Sequence, residues 1–330
     1  MSDMKLLHFW ITEGAAHFTN YNSEELNNVV PNLLLHHSLE HEFLMHELLS
    51  FSALRISFLR PQDAKDYLYI SHDHRSKGLA LFQRAISGLQ ESNCEALYLF
   101  SVLTFCHAWA AQDMNKPSQL FFIPSQQLED SQTEIKWVQL HRGSGMIMDS
   151  YISHMRSGGL RPMFAQWEEW SWQKENHLEA RDERPFDSLR EAIGSSGVPK
   201  TQRETLLYTL DRLREVFCLM TFHHKVSKLS AVMSWFSLIS DDYLMLLEKK
   251  MPEALVIVAY YSVAIKRLPY MWWLEGKSEN LLQTVLYELG NSWESYTRWP
   301  IEQIMGSTSV ASSIDPSLAA SQHQEPAVAR

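Results

Sequence analysis

The chain has 330 residues, 45% of them apolar and 12% aromatic, enough to bury one large core. Its formal charge of −10 argues against a surface built to grip phosphates, which needs clustered Lys and Arg, so no direct DNA binding by this chain is expected. Three widely spaced cysteines, Cys94, Cys106 and Cys218, exclude a disulfide framework and a Cys-x-x-Cys zinc site, and read as buried thiols in a reducing compartment.

Asp3, Lys5, His8 and Glu13 interrupt any secretory apolar segment. The longest apolar run, Ala254 to Ile265, is about half of the ~20 residues that cross a bilayer, so it reads as a buried helix and no membrane span is expected. With few Gly and Pro, most of them between periodic segments, the pattern predicts an all-α fold. The expected architecture is one large domain of antiparallel packed helices over residues 1–305, followed by a disordered tail, 306–330, of Ser, Ala, Gln and Pro.

Taken in order, residues 3–18 place Leu6, Leu7, Trp10, Ile11 and Phe18 on one helical face, with Asp3 as the N-cap. Residues 20–28 read as a polar linker. From His41 to Leu54 apolar residues lie on nearly every side, which predicts a buried helix, with Glu47 marking a less deeply packed face. An apolar stripe over Tyr67 to Leu89 and a helix from Asn93 to Trp109 predict an antiparallel hairpin across the 90–92 turn. Residues 113–131 read as a surface loop, Glu134 to Ile152 as a helix, and Gln166 to Gly197 as a long variable connection. Leu206, Leu207, Leu210, Leu213 and Phe217 mark a helix over Thr201 to Leu219.

The stretch from Ser230 to Pro300 is the densest in bulky residues. Val232, Trp235, Phe236 and Leu238 open it, Pro252 sits where a first helical turn tolerates it, and Trp272 and Trp273 follow as adjacent helical positions about 100° apart. Trp235, Tyr260, Tyr261, Trp272 and Trp273 are the candidate lining of an apolar ligand site between helices.

Other constellations are weaker. His37 and His41, four apart, share one helical face as metal ligands do. His41 and His46 are five apart, about 140° around a helix, so the His-Glu-x-x-His zinc signature is absent. These read as ordinary helix histidines, and neither a metal nor a cofactor is expected. No Gly-x-Ser-x-Gly or phosphate-loop pattern points to catalysis, and Glu168-Glu169 and Asp241-Asp242 read as solvated helix-end charges.

Several blocks carry a family resemblance. Pro252-Glu253-Ala254-Leu255, Trp272-Trp273-Leu274-Glu275-Gly276, Leu289-Gly290, Trp293 and Trp299-Pro300 follow in one order. Phe43-Leu44-Met45-His46, with Glu47 and Phe51 departing from Ala and Leu, and Asn93-Cys94-Glu95-Ala96-Leu97 add to it, as do the opening Lys5 to Trp10 and Gly158 to Met163. Together they resemble the regulatory domain of fungal zinc-cluster transcription factors, in the branch of the sterol uptake control protein. The resemblance, over about residues 4–303, implies an all-α domain in the nucleus or, failing that, the cytoplasm. It further implies a hydrophobic small molecule such as a sterol, transcription-related protein partners and a homodimer. The family's six-cysteine zinc cluster, basic linker and coil have no counterpart here, so a regulatory domain kept alone or a truncated gene is expected. The rival reading is a helical metabolite-binding protein or enzyme of a biosynthetic gene cluster.

Overall fold

A computed structural model describes residues 2–18, 24–112, 137–168, 178–290 and 293–306. Among them every regular element is helical, as composition predicts. Helix α1 (Ser2–Phe9) runs on into a π turn (Trp10–Gly14) and a 3₁₀ turn (Ala15–His17). Leu6, Trp10 and Phe18 are buried, but Ile11, expected beside them, is exposed because the wider π turn shifts the phase of the stripe. Asp3 lies inside the first turn rather than capping it.

Helix α2 (Glu24–Glu40) takes in part of the expected linker and contains Pro31. Leu26, Val30 and Leu34 at four-residue spacing bury the stripe that holds it. Helix α3 (Glu42–Leu59) is buried on most sides, as expected. Glu47, read as a sign of looser packing, is itself fully buried.

Helix α4 (Ala64–Ala85) folds back along α3 through a 3₁₀ turn (Pro61–Asp63). A Cβ on Gly78 would stand 3.1 Å from the Phe43 carbonyl oxygen and 3.3 Å from the His46 Cβ, so glycine sets the close approach of α3 and α4. The hairpin is therefore α3 with α4. The expected partner, α5 (Glu91–Ala111), only grazes α4 and packs on α3 and on α6 (Trp137–Ser157) instead. A capping box between Gln90 and Asn93 starts α5. Of the described helices α5 is long and apolar enough to cross a membrane, but 78% of its apolar window is buried against the rest of the protein.

Helix α6 bends at Tyr151 (φ −127, ψ 23), whose hydroxyl donates to the Leu89 carbonyl at 3.0 Å. The short α7 (Arg161–Ala165) follows. The loop expected at 113–131 and the helix start at Glu134 lie outside the described residues. The connection expected over 166–197 contains a helix, α8 (Ala180–Ser195), which buries Phe186, Leu189 and Ile193 at spacings of three and four. Its charged outer face masked that stripe.

Then come α9 (Lys200–Phe222), α10 (Lys228–Leu238), α11 (Asp241–Glu248), α12 (Pro252–Lys266), α13 (Lys277–Leu289) and α14 (Glu294–Met305). Ser227 and Ser240 cap α10 and α11 by accepting the backbone N–H groups of Ser230 and Tyr243. Pro252 opens α12, which is buried from Glu253 to Ile265 and packs on α9, α13 and α14. Trp272 and Trp273 sit in a 3₁₀ turn (Trp272–Leu274), not in an α-helix, and this turn packs against α5. One continuous apolar core runs through the described helices. The tail expected to be disordered lies, beyond Gly306, outside the described residues.

Candidate functional site

The five aromatic candidates are all buried, and they fall into separate places. Trp235 of α10 stacks on Tyr261 of α12 with centroids 4.3 Å apart and planes 20° apart, and Phe236 meets Tyr261 edge-on at 5.3 Å. The Tyr261 hydroxyl donates to the Val232 carbonyl at 3.2 Å, whereas the Trp235 indole N–H is buried with no hydrogen-bond partner. Tyr260, next along α12, points elsewhere: its hydroxyl donates to Pro185 at 3.1 Å and its ring packs on Phe186 and Trp299. Trp272 lies against Phe51 and Phe58 of α3, with the Arg55 guanidinium 5.0 Å from its ring centroid. Trp273 donates its indole N–H to the Phe18 carbonyl at 2.9 Å. Only Trp235 and Tyr261 are brought into contact.

Periodicity did not point to the buried polar seam where α3, α4 and α5 meet. Ser50 of α3 donates to the Ser71 carbonyl at 2.7 Å and Ser71 of α4 donates back to the Ser50 carbonyl at 2.9 Å. Both hydroxyl protons are therefore engaged, and the His107 Nε2, 3.0 and 3.1 Å from the two hydroxyl oxygens, must be the donor to them. Its Nδ1 then accepts from Arg75, which completes a neutral imidazole held in one tautomer. Burial, and secondarily the Arg75 charge, hold His107 well below its ordinary range. Arg75 also faces Glu47 at 4.0 Å. Burial pushes the Glu47 carboxyl up to about 6 while Arg75 pulls it down.

A second cluster lies at the α2–α3 junction. One ligand atom from each of His37, Glu40 and His41 lies within 4.8 Å of the others. His37 Nε2 stands 3.1 Å from Glu95 Oε2 of α5, and the other Glu95 oxygen accepts the Leu160 N–H at 3.4 Å. Burial would raise the Glu95 carboxyl, but the His37 hydrogen bond and the Leu160 N–H outweigh it and hold it below its ordinary value. Burial and then the neighbouring His37 lower His41, with Glu40 acting the other way. Pairing His37 with His41 by spacing overlooked Glu40, because His41 leaves the helix (φ −126, ψ 105) and brings the end of α2 round to meet it. The signal was there as His-x-x-Glu-His.

Cys94, Cys106 and Cys218 are buried and not joined in disulfides, and three thiols, two of them twelve residues apart on α5 and one on α9, do not fit a six-cysteine zinc cluster.

Residues 5–137 match the model of the fungal specific transcription factor domain. A Zn(2)-C6 fungal-type transcription factor of Gibberella zeae is 29% identical over 84 residues, which are 25% of this chain and 17% of that protein. The chain thus aligns with less than a fifth of that relative's length. The matched family block holds α1 to α5 with both polar clusters, while the five aromatic candidates lie beyond it. Together with the blocks read from the sequence, these matches support a regulatory domain of the fungal transcription factor kind in this chain.

Proposed function

We propose that this chain acts as an effector domain controlling gene expression in a fungal nucleus, through transcription-related protein partners and an apolar small molecule of the sterol type. The family match over residues 5–137 carries this reading. The acidic balance supports the division of labour, since a domain of charge −10 leaves phosphate contacts to another module.

For the ligand, Trp235 is the best supported of the five aromatics. Tyr260, Tyr261 and Trp273 already donate to backbone carbonyls, whereas the Trp235 N–H sits among aromatic rings with no acceptor. An apolar molecule bearing one hydroxyl or carbonyl would satisfy it. A sterol panel tests this: a ligand that prefers the native state raises the melting temperature of the wild type and does so less for Trp235→Phe. No shift across the panel sinks the ligand and leaves the partner-binding domain, which a tethered reporter tests separately.

A further inference from the structure

We propose that His37, Glu40 and His41 bind one divalent transition-metal ion, and that Glu95 positions His37 for it. This does not rest on the regulatory reading.

Four observations support the site. The three side chains already converge, with ligand atoms within 4.8 Å of one another. In a tetrahedral zinc site, ligand atoms ~2.0–2.1 Å from the ion stand ~3.4 Å apart. The set therefore has to draw in by at most about 1.4 Å, the difference between 4.8 Å and that spacing. Glu40 is exposed, and the half-buried His41 makes no capping hydrogen bond, so both can turn without breaking one.

His37 is also prepared electronically. Its Nε2 is engaged by Glu95, and its Nδ1 is buried with no hydrogen-bond partner. A histidine that donates one ring N–H to a carboxylate presents the lone pair of the other nitrogen, which is how metal-bound histidines are held. Glu95 is itself held by the Leu160 N–H, and Gly158 leaves the space its carboxylate occupies, since a Cβ there would collide with Glu95 Oε1.

The donor chemistry selects the ion. Two imidazoles and one carboxylate suit Zn²⁺ and its first-row neighbours, whereas Mg²⁺ and Ca²⁺ take oxygen sets. Water would complete the coordination. The exposed His36, whose Nε2 is 3.8 Å from Glu40 Oε1, competes for that carboxylate and has to release it. A bound ion would pin the end of α2 to the start of α3 and, through Glu95, to α5 and the turn before α7.

The test is calorimetric titration of the metal-free full chain with Zn²⁺, with Co²⁺ absorption to report coordination. The expected result is one saturable ion per chain, with His41→Ala and Glu40→Gln each weakening affinity at least tenfold. Glu95→Gln should weaken it about 10–100-fold and move the pH midpoint of zinc uptake, because His37 loses its carboxylate. His46→Ala, in the neighbouring pair where His46 and His74 Nδ1 atoms stand 2.8 Å apart, should leave affinity unchanged. His41→Ala loses no capping hydrogen bond, only the packing of its ring on His37 and Phe43, so it is the decisive substitution when read as loss of the zinc-dependent rise in its own melting temperature. Absence of saturable zinc binding, equal affinity in His41→Ala and wild type, or loss in His46→Ala overturns the proposal.

Discussion

The Glu47 carboxylate and the Arg75 guanidinium stand 4.0 Å apart in the packed seam between α3 and α4, with no exposed surface on Glu47. Burial raises Glu47 from 4.5 to about 6 despite Arg75, so its ionised form is net unfavourable in the folded state. An acid whose folded pKa lies above its unfolded one favours folding below the unfolded value, and that contribution is lost as pH rises through about 6. At 1.36 kcal/mol per unit, the loss above pH 7 is about 2 kcal/mol. Glu47→Gln should therefore gain up to about 2 kcal/mol at pH 8 and nothing near pH 4.5, in denaturant unfolding at both values. A loss at pH 8 would show that the charge is net stabilising.

Arg75→Ala removes the partner of Glu47 and the donor to His107 together. It should cost about 2–4 kcal/mol at pH 7: Glu47, already raised to about 6, takes up a proton there for at most about 1.4 kcal/mol, and the buried His107 Nδ1 left without its donor adds about 1–3 kcal/mol. A cost below about 1 kcal/mol would mean that water reaches the seam.

The same substitution should act differently at two tryptophans. Trp273→Phe deprives the Phe18 carbonyl of its donor, whereas Trp235→Phe removes an N–H that has no acceptor. Trp273→Phe should cost about 1–2 kcal/mol more than Trp235→Phe. Equal costs would indicate that ring volume alone decides.

Much of the helical core is legible in the sequence. Helix-period burial in α3, α9 and α12 follows directly from Leu44 and Leu48, Leu206 and Leu210, and the run after Pro252. Helix α8 is not, because Asp182, Glu183, Asp187 and Arg190 surround its three buried apolar residues, and composition there reads as connection. The partner of α4 is hidden because chain adjacency suggests α5, while the decisive residue, Gly78, acts through backbone approach to Phe43. The polar clusters join residues far apart in sequence, such as Ser50 with His107 and His37 with Glu95, which no local pattern encodes.

Residues 306–330 carry Ser, Ala, Gln and Pro with little apolar bulk and are proposed to add nothing to the core. Their removal should leave the melting temperature within about 2 °C, roughly 1.3 kcal/mol for a domain of this size at ~2.1 cal/mol/K of unfolding entropy per residue. A larger fall would mean that the segment docks.

The purified chain should not bind DNA specifically, given its charge of −10. Titration against random and promoter duplexes across salt checks this. A salt-sensitive, sequence-selective affinity of roughly 10⁻⁸ M or tighter would show that the chain reads DNA itself.

Control of transcription by this domain is open to a direct measurement in a tethered reporter. The full chain is placed between a heterologous DNA-binding module and an activation segment, and transcription is compared with the same fusion lacking the chain and with one carrying Arg75→Ala. The intact chain should change output severalfold, and Arg75→Ala, by breaking the seam between α3, α4 and α5, should abolish the change. Output equal to the fusion without the chain, with the protein folded and present at matched levels, would refute a regulatory role.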